Sequence, residues 1–118
     1  MVHWSRIQKI IEKSRSHKIS HIVNNNNFDF AGVYLIYDPK MNLQYIGHTN
    51  SIKKRCEEHM LNIGTGNLCS KIKRRPTASQ KIESYRVKYI TIEDNYRERC
   101  FTECQLLAVY RPPLNFIR

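Results

Sequence analysis

The sequence predicts an α+β domain in which a small three-stranded antiparallel sheet is flanked by helices, with an extra helix at the N-terminus. A hairpin-like pair of apolar segments, one later segment of alternating character and several helical segments with an apolar stripe support this prediction. Alternating strands and striped helices fit a layered packing around one core. At 118 residues, the chain has room for a single such core.

The N-terminal extension, residues 1–27, is predicted to contain a helix and a connector. Four apolar residues recur at helical spacing within residues 4–13, with polar side chains opposite them. Residues 14–27 lose this pattern and end in four consecutive asparagines, which favour neither helix nor strand. The asparagine run is therefore predicted to be an exposed connector, and residues 28–118 are predicted to form the main domain.

Residues 31–37 and 43–47 are predicted to be the two strands of a β-hairpin. Both segments are rich in β-branched and aromatic side chains, and the Asp-Pro-Lys-Met-Asn sequence between them is a turn by composition. Tyr34 and Tyr45 lie near the two ends of this unit. Pairing of the strands is expected to bring both phenols onto one face.

Two helices are predicted after the hairpin. Thr49 or Asn50 is a suitable N-cap for a helix over about 51–62, which ends at a glycine-containing turn. A short basic helix over 67–75 is then stopped by Pro76.

The last part of the chain predicts a strand and a final helix. Residues 85–93 alternate between apolar and polar side chains, as in a half-buried strand. Asp94 or Asn95 then caps a helix that runs to about Tyr110, where the Pro-Pro pair at 112–113 forbids its continuation.

The charge of the chain indicates a polyanionic partner. The formal net charge is +10 and the isoelectric point is about 9.7, a balance most often associated with nucleic acid. No apolar run approaches the roughly 20 residues of a membrane span, so no membrane partner is expected. The first residues lack the apolar stretch of a secretory signal. We expect a cytoplasmic location, with the nucleus or an organelle left open.

The four cysteines do not predict a zinc site. Cys100 and Cys104 share a helical face, but Cys56 and Cys69 stand far apart and no Cys-x-x-Cys pair occurs. Structural zinc sites usually show close pairs at both ends of a loop. Reduced thiols that act as small hydrophobic side chains are expected instead.

Four polar residues fit the chemistry of phosphodiester hydrolysis, which needs a base for water and positive charge at the phosphate. Arg55 and His59 are four residues apart on one helix, so their side chains are adjacent. An arginine binds a phosphate with two parallel hydrogen bonds, and a histidine exchanges a proton near neutral pH. Glu103 lies in a helical segment predicted to be largely buried, where a carboxylate needs a partner such as Mg²⁺. Asn115 follows the proline turn and is placed to return an amide to the same site.

Each of these residues also has a structural alternative. Arg55 is then a solvated surface charge, and His59 pairs with Glu58 or caps its helix. Glu103 makes a salt bridge to Arg99, four residues earlier. The tyrosines pack and the terminal asparagine stabilises the last turn. The order of the whole set along the chain distinguishes the catalytic hypothesis from these alternatives.

The ordered set resembles the GIY-YIG nuclease family. That family has a Gly-hydrophobic-Tyr strand, a Tyr-hydrophobic-Gly strand, an arginine and often a histidine on the next helix, a glutamate on a later helix and a terminal asparagine. The matching residues here are Gly32-Val33-Tyr34, Tyr45-Ile46-Gly47, Arg55, His59, Glu103 and Asn115. Val33 replaces the usual isoleucine, which is the only departure in the signatures, and the resemblance spans residues from about 31 to 116.

The resemblance implies a metal-dependent DNA endonuclease with a single active site. By analogy, Glu103 and waters hold one Mg²⁺ ion, for which Mn²⁺ is a substitute. The hydroxyl of Tyr34 acts as general base, with His59 or Tyr45 lowering the cost of forming its phenolate. Such help is needed because a free tyrosine has a pKa of about 10.

The remaining motif residues are implied to support this chemistry. Arg55 holds the scissile phosphate and stabilises charge in the transition state. Gly47 permits close approach of backbone and substrate, with Gly32 as a second structural position at the site. Asn115 orients the network around the metal.

A basic surface is expected to contact DNA outside the site, because phosphate contacts supply affinity and position with little sequence information. One set of these side chains flanks the site: Lys53, Lys54, Lys71, Lys73, Arg74 and Arg75. A second set decorates the N-terminal extension: Lys9, Lys13, Arg15 and Lys18.

Other functions stay open at this point. A non-catalytic nucleic-acid-binding module on the same fold, an RNA-directed nuclease and an adaptor that docks an acidic protein all use a basic surface. The chain lacks the paired aromatic strands of common RNA-binding modules. For a nuclease, double-stranded or branched DNA is expected. One active site nicks one strand, so cutting of both strands requires a homodimer or a second event. A protein partner that provides specificity is a further alternative.

Overall fold

The structure, a computed structural model that describes residues 4–75 and 81–116, is organised around a four-stranded antiparallel sheet. Its strands are β1 (His17–Lys18), β2 (Gly32–Tyr37), β3 (Leu43–Thr49) and β4 (Arg86–Thr91), in the spatial order β1-β4-β2-β3. The predicted α+β fold is confirmed, but the prediction of three strands is wrong. The two-residue β1 pairs with β4 as an edge strand, and it is too short to show an alternating pattern.

Within the described ranges, five α-helices pack on this sheet: α1 (Trp4–Lys13), α2 (Ile19–Val23), α3 (Ile52–Leu61), α4 (Leu68–Lys73) and α5 (Tyr96–Tyr110). Short 3-10 helices span Asn26–Phe28, Ile82–Ser84 and Pro113–Phe116. Ser51 rather than Thr49 or Asn50 caps α3, because its hydroxyl accepts a hydrogen bond from the Lys54 amide. Asn95 caps α5, as predicted. The predicted stop at Pro76 lies outside the described residues.

The predicted hairpin is confirmed and its register fixes which side chains meet. Tyr34 lies opposite Gly47, and Ile36 lies opposite Tyr45, so both tyrosines share one face of the sheet. The turn is closed by Asp38, whose Oδ1 accepts hydrogen bonds from two backbone amides of the turn.

The central strand β2 is buried on both faces, and each face packs against different helices. Tyr34 and Ile36 belong to the core shared with α2, α3 and α4. Val33 and Leu35 belong to the core shared with α1 and α5. Helices α3 and α5 therefore lie on opposite faces of the sheet, and side chains from both reach the edge strand β3.

The N-terminal extension contains buried residues before the asparagine run. Ile19 and Ile22 on α2 are fully buried in the core that contains Tyr34. In the asparagine run, Asn24, Asn26 and Asn27 are exposed, as predicted. The division of the chain at residue 27 stays a prediction. No helix within the described residues has both the length and the apolar character to cross a bilayer.

Replacement of a core residue in α2 tests whether this helix stabilises the main domain. We expect Ile22→Ala to lower the free energy of unfolding by about 2–5 kcal/mol, because it leaves a cavity at a fully buried position. The matched control Ile63→Ala, at a position that is 52% exposed, should cost less than about 0.5 kcal/mol. Urea unfolding measures both. Equal effects of the two variants would show that α2 is an appendage.

Candidate active site

Gly47 makes room for the ring of Tyr34. The two residues are directly opposite each other in the β2–β3 pair, and the phenol of Tyr34 lies over the glycine. A Cβ at position 47 would collide with the phenol, so any larger residue displaces the tyrosine. Gly32 has a similar role at the start of β2, where a Cβ would collide with the backbone carbonyl of Ile90. In both cases, the neighbouring atoms belong to the protein itself.

Tyr34 and His59 form a buried hydrogen-bonded pair. The phenolic oxygen of Tyr34 lies 2.9 Å from Nε2 of His59, and both side chains are fully buried. Burial, followed by repulsion from Arg55 and Lys71, lowers the pKa of His59 to about 3, so its imidazole is neutral at physiological pH. Burial also raises the pKa of Tyr34 well above its usual value, with a further contribution from Tyr45 and a partial offset from Arg55.

One nitrogen of His59 has no partner. Within residues 4–75 and 81–116, Nδ1 is buried without a hydrogen bond. A buried polar atom without a partner is costly, and here it lies on the imidazole that contacts Tyr34.

Tyr45 covers the outer side of this pair. Its ring centroid lies 6.2 Å from that of Tyr34 and 5.2 Å from that of His59. The ammonium of Lys71 lies 5.0 Å from the ring centroid of Tyr45. Burial raises the pKa of Tyr45, and the negative charge of Glu103 raises it further.

Arg55 is held beside the phenols with its guanidinium partly open to solvent. Its Nε donates to Oε1 of Glu58 at 3.1 Å, and its Nη1 donates to the backbone carbonyl of His48 at 3.4 Å. The side chain is 26% exposed, so it is neither a free surface charge nor a buried one. Because Glu58 pairs with Arg55, the alternative pairing of His59 with Glu58 is wrong.

Glu103 reaches the site from the other face of the sheet. Its side chain is 20% exposed, more open than the largely buried position predicted, and Oε2 contacts Nδ1 of His48. The alternative salt bridge to Arg99 is wrong. Arg99 instead donates to two backbone carbonyls after β4 and to the side chain of Asn50.

Asn115 binds the backbone of the edge strand. Its Oδ1 accepts from the amide of Ile46 and its Nδ2 donates to the carbonyl of Ile46, both at 2.8 Å. The side chain thus substitutes for a neighbouring strand at the edge of β3, between Tyr45 and Gly47. Its predicted role in orienting a metal network stays a prediction.

His48 is the residue that sequence reasoning missed. It directly follows the Tyr-Ile-Gly motif on β3, and its side chain meets a glutamate 55 positions further along the chain. A lone histidine at the end of a strand carries no signal of such a contact. Only the packing of α5 against β3 reveals it.

A divalent cation fits this arrangement of donors. Within the described ranges, no cluster of three or more His, Cys, Asp or Glu side chains is arranged to hold a metal. The partly exposed carboxylate of Glu103 is a hard oxygen ligand in a setting open to water. Mg²⁺ suits such a site, because it commonly takes one or two carboxylates and keeps several waters. All four cysteines are free thiols.

The predicted DNA-contacting residues are all at least partly accessible. Lys53 and Lys54 lie on α3 beside Arg55, and the others lie on or after α4: Lys71, Lys73, Arg74 and Arg75. Of the N-terminal set, Lys9, Lys13, Arg15 and Lys18 are exposed. Contact of either set with DNA stays a prediction.

Comparison with known families identifies the family to which this fold belongs. The family model of the GIY-YIG catalytic domain matches residues 30–115. The chain belongs to the GIY-YIG family. It is a nuclease, that is, a phosphodiester hydrolase, and at the level of the family a metal-dependent endonuclease.

Solved structures of the GIY-YIG N-terminal endonuclease domain of UvrC from Thermotoga maritima are similar to this chain. Two tyrosine-to-phenylalanine point mutants of that domain, each bound to its catalytic divalent cation, are 26% and 25% identical and have TM-scores of 0.56. Both matches cover 84% of this chain and 96% of the UvrC domain. A magnesium-bound form, 23% identical with a TM-score of 0.52, shares the fold over 96% of this chain and 99% of that one. Among curated proteins, no sequence matches the chain significantly.

The depressed pKa of His59 predicts how this site responds to pH. The unfolded chain binds a proton at this histidine below about pH 6.5, whereas the folded chain does so only near pH 3. Stability therefore falls as the pH drops from about 6.5 towards 3, by at most about 1.4 kcal/mol per pH unit from this group. We expect the ¹³Cε1 resonance of His59 to stay constant between pH 8 and 5, with His59→Gln assigning the signal. A midpoint near 6.5 would contradict a buried neutral imidazole.

Proposed function

We propose that this GIY-YIG nuclease is a Mg²⁺-dependent DNA endonuclease in which the oxygen of Tyr34 takes the proton of the attacking water. The observation that carries the proposal is the buried hydrogen bond between Tyr34 and a neutral His59, beside the half-open guanidinium of Arg55. A base, a phosphate-binding cation and a metal-binding carboxylate thus converge on one edge of the sheet.

The proton has a route through the tyrosine. Because burial raises the pKa of Tyr34, its phenol is not ionised near neutral pH. The neutral imidazole of His59 offers a lone pair at Nε2, 2.9 Å from the phenolic oxygen. As the phenolic oxygen accepts a proton from water, its own proton passes to Nε2, so one proton moves in net from water to His59. The water oxygen then bonds to phosphorus and the bond to the leaving oxygen breaks.

Arg55 lowers the free-energy cost of this proton transfer in the buried site. Its planar guanidinium is suited to bind the non-bridging oxygens of the scissile phosphate and to stabilise the charge that develops on them. The bound phosphate also places a negative charge near His59, which opposes the repulsion that Arg55 and Lys71 exert on a protonated imidazole. The substrate itself therefore raises the affinity of His59 for the proton.

Glu103 is the residue proposed to hold the divalent cation, with water completing the coordination. When bound, Mg²⁺ or its substitute Mn²⁺ supplies positive charge that polarises the phosphate and favours departure of the leaving oxygen. The cation-bound forms of the similar UvrC domain support a divalent metal at this site.

The basic surface supports DNA as the substrate. The net charge of +10 and the accessible lysines and arginines on α3 and α4 favour contacts to a phosphate backbone next to the site. We propose a double-stranded or branched substrate that is nicked by one copy of the chain. A homodimer or a specificity-providing partner is then needed for paired cutting.

Cleavage of supercoiled plasmid in Mg²⁺ tests the assignment directly. We expect wild-type protein to nick the plasmid, and Tyr34→Phe, Arg55→Ala and Glu103→Ala each to lower the rate by about 100-fold or more. Matched controls on exposed positions should cleave like wild type: Tyr110→Phe, Arg97→Ala and Glu93→Ala.

Binding measurements separate the outcomes. Fluorescence anisotropy with labelled duplex, branched DNA and RNA should show that Glu103→Ala still binds DNA. Binding without cleavage of plasmid or branched DNA by wild type would instead indicate a non-catalytic binding module. Preferential cleavage of RNA would overturn the DNA substrate.

A further inference from the structure

The geometry points to a role for His48 that the family motif does not include. We propose that His48 is a positioning residue, whose imidazole holds the carboxylate of Glu103 in the orientation that a divalent cation requires. This inference rests on the proposed metal-binding role of Glu103, and it adds the residue that prepares that ligand.

Three side chains on one stripe of α5 enclose the imidazole of His48. Oε2 of Glu103 contacts Nδ1, and the thiol sulfur of Cys100 lies 3.6 Å from Nε2. The ring of Tyr96 meets the imidazole edge-on, with the centroids 5.6 Å apart. Residues 96, 100 and 103 recur at helical spacing, so the contact with the imidazole extends over about two turns of the helix.

The carboxylate of Glu103 fixes the role of one ring nitrogen. An ionised carboxylate only accepts hydrogen bonds, so Nδ1 of His48 is the donor in this contact. The thiol of Cys100 lies against the opposite nitrogen, Nε2. The contacts therefore run from Cys100 through His48 to Glu103.

This hydrogen bond prepares the carboxylate for a metal. A glutamate on a partly exposed helix face loses side-chain entropy when it binds a cation. A donor on Oε2 fixes the carboxylate in advance. Hydrogen-bond partners of metal ligands typically contribute 10–100-fold to metal affinity or activity.

His48 also connects the metal ligand to the phosphate-binding arginine. Its side chain faces α5, whereas its backbone carbonyl accepts a hydrogen bond from Arg55 on α3. One residue of the edge strand therefore sets the relative positions of Glu103 and Arg55. Because the contact to Arg55 uses the backbone, substitution of the side chain removes the contacts to α5 and leaves the backbone acceptor for Arg55 in place.

Affinity for Mn²⁺, measured at one fixed pH by electron paramagnetic resonance of the free ion, tests this role without DNA. We expect His48→Ala to raise the Kd for Mn²⁺ by about 10–100-fold. His48→Asn should recover affinity to within about threefold, because its amide places a donor near the position of Nδ1. In cleavage, His48→Ala should need more Mn²⁺ for half-maximal rate and approach the wild-type plateau at saturation. Thermal unfolding confirms that both variants are folded.

Glu103→Gln distinguishes failure of this inference from failure of the proposed metal site. If Glu103→Gln bound Mn²⁺ with wild-type affinity, Glu103 would not be the metal ligand. A loss of affinity in Glu103→Gln with wild-type affinity in His48→Ala would leave the metal site standing and overturn the role of His48. Equal losses in His48→Ala and His48→Asn would also overturn it, since the donor then has no effect.

Discussion

The hydrogen bond between Tyr34 and His59 is the interaction on which the site is built. It joins the central strand to α3 inside the core, and both side chains are buried. Burial keeps the phenol protonated and the imidazole neutral, so the pair contains a donor and a free base with no net charge. Gly47 is needed because the phenol occupies the space above it, which ties the glycine of one strand to the tyrosine of its neighbour.

The edge strand β3 joins the other parts of the site. On one face of the sheet it presents Tyr45 towards His59, and on the other it presents His48 towards Glu103. Asn115 covers the open edge of the strand between them by pairing with the backbone of Ile46. An edge strand has one open side, where groups that it presents on opposite faces are able to approach one substrate. The topology therefore explains how residues from both α3 and α5 reach the candidate site.

The sequence allowed prediction of what depends on local pattern. The hairpin, the capping role of Asn95 and the motif residues were recognisable because spacing and turn chemistry encode them. The two-residue strand β1 and the buried helix α2 were not predictable in this way. The burial of Ile19 and Ile22 depends on tertiary contacts with the core and not on a local pattern. The contact between His48 and Glu103 was not predicted for the same reason, since it joins residues that are distant in sequence through the packing of α5. The partial exposure of Glu103 likewise depends on the edge position of its partner strand.

The pH dependence of DNA cleavage tests the central claim most directly. Single-turnover rates at saturating Mg²⁺ report the protonation state of the base in the complex. If a neutral phenol passes its proton to His59, the base form is present throughout, and the logarithm of the rate should be nearly flat between pH 6 and 9. A slope of about +1 per pH unit over that range would show that Tyr34 must ionise before it acts. That result would contradict the proton transfer to His59.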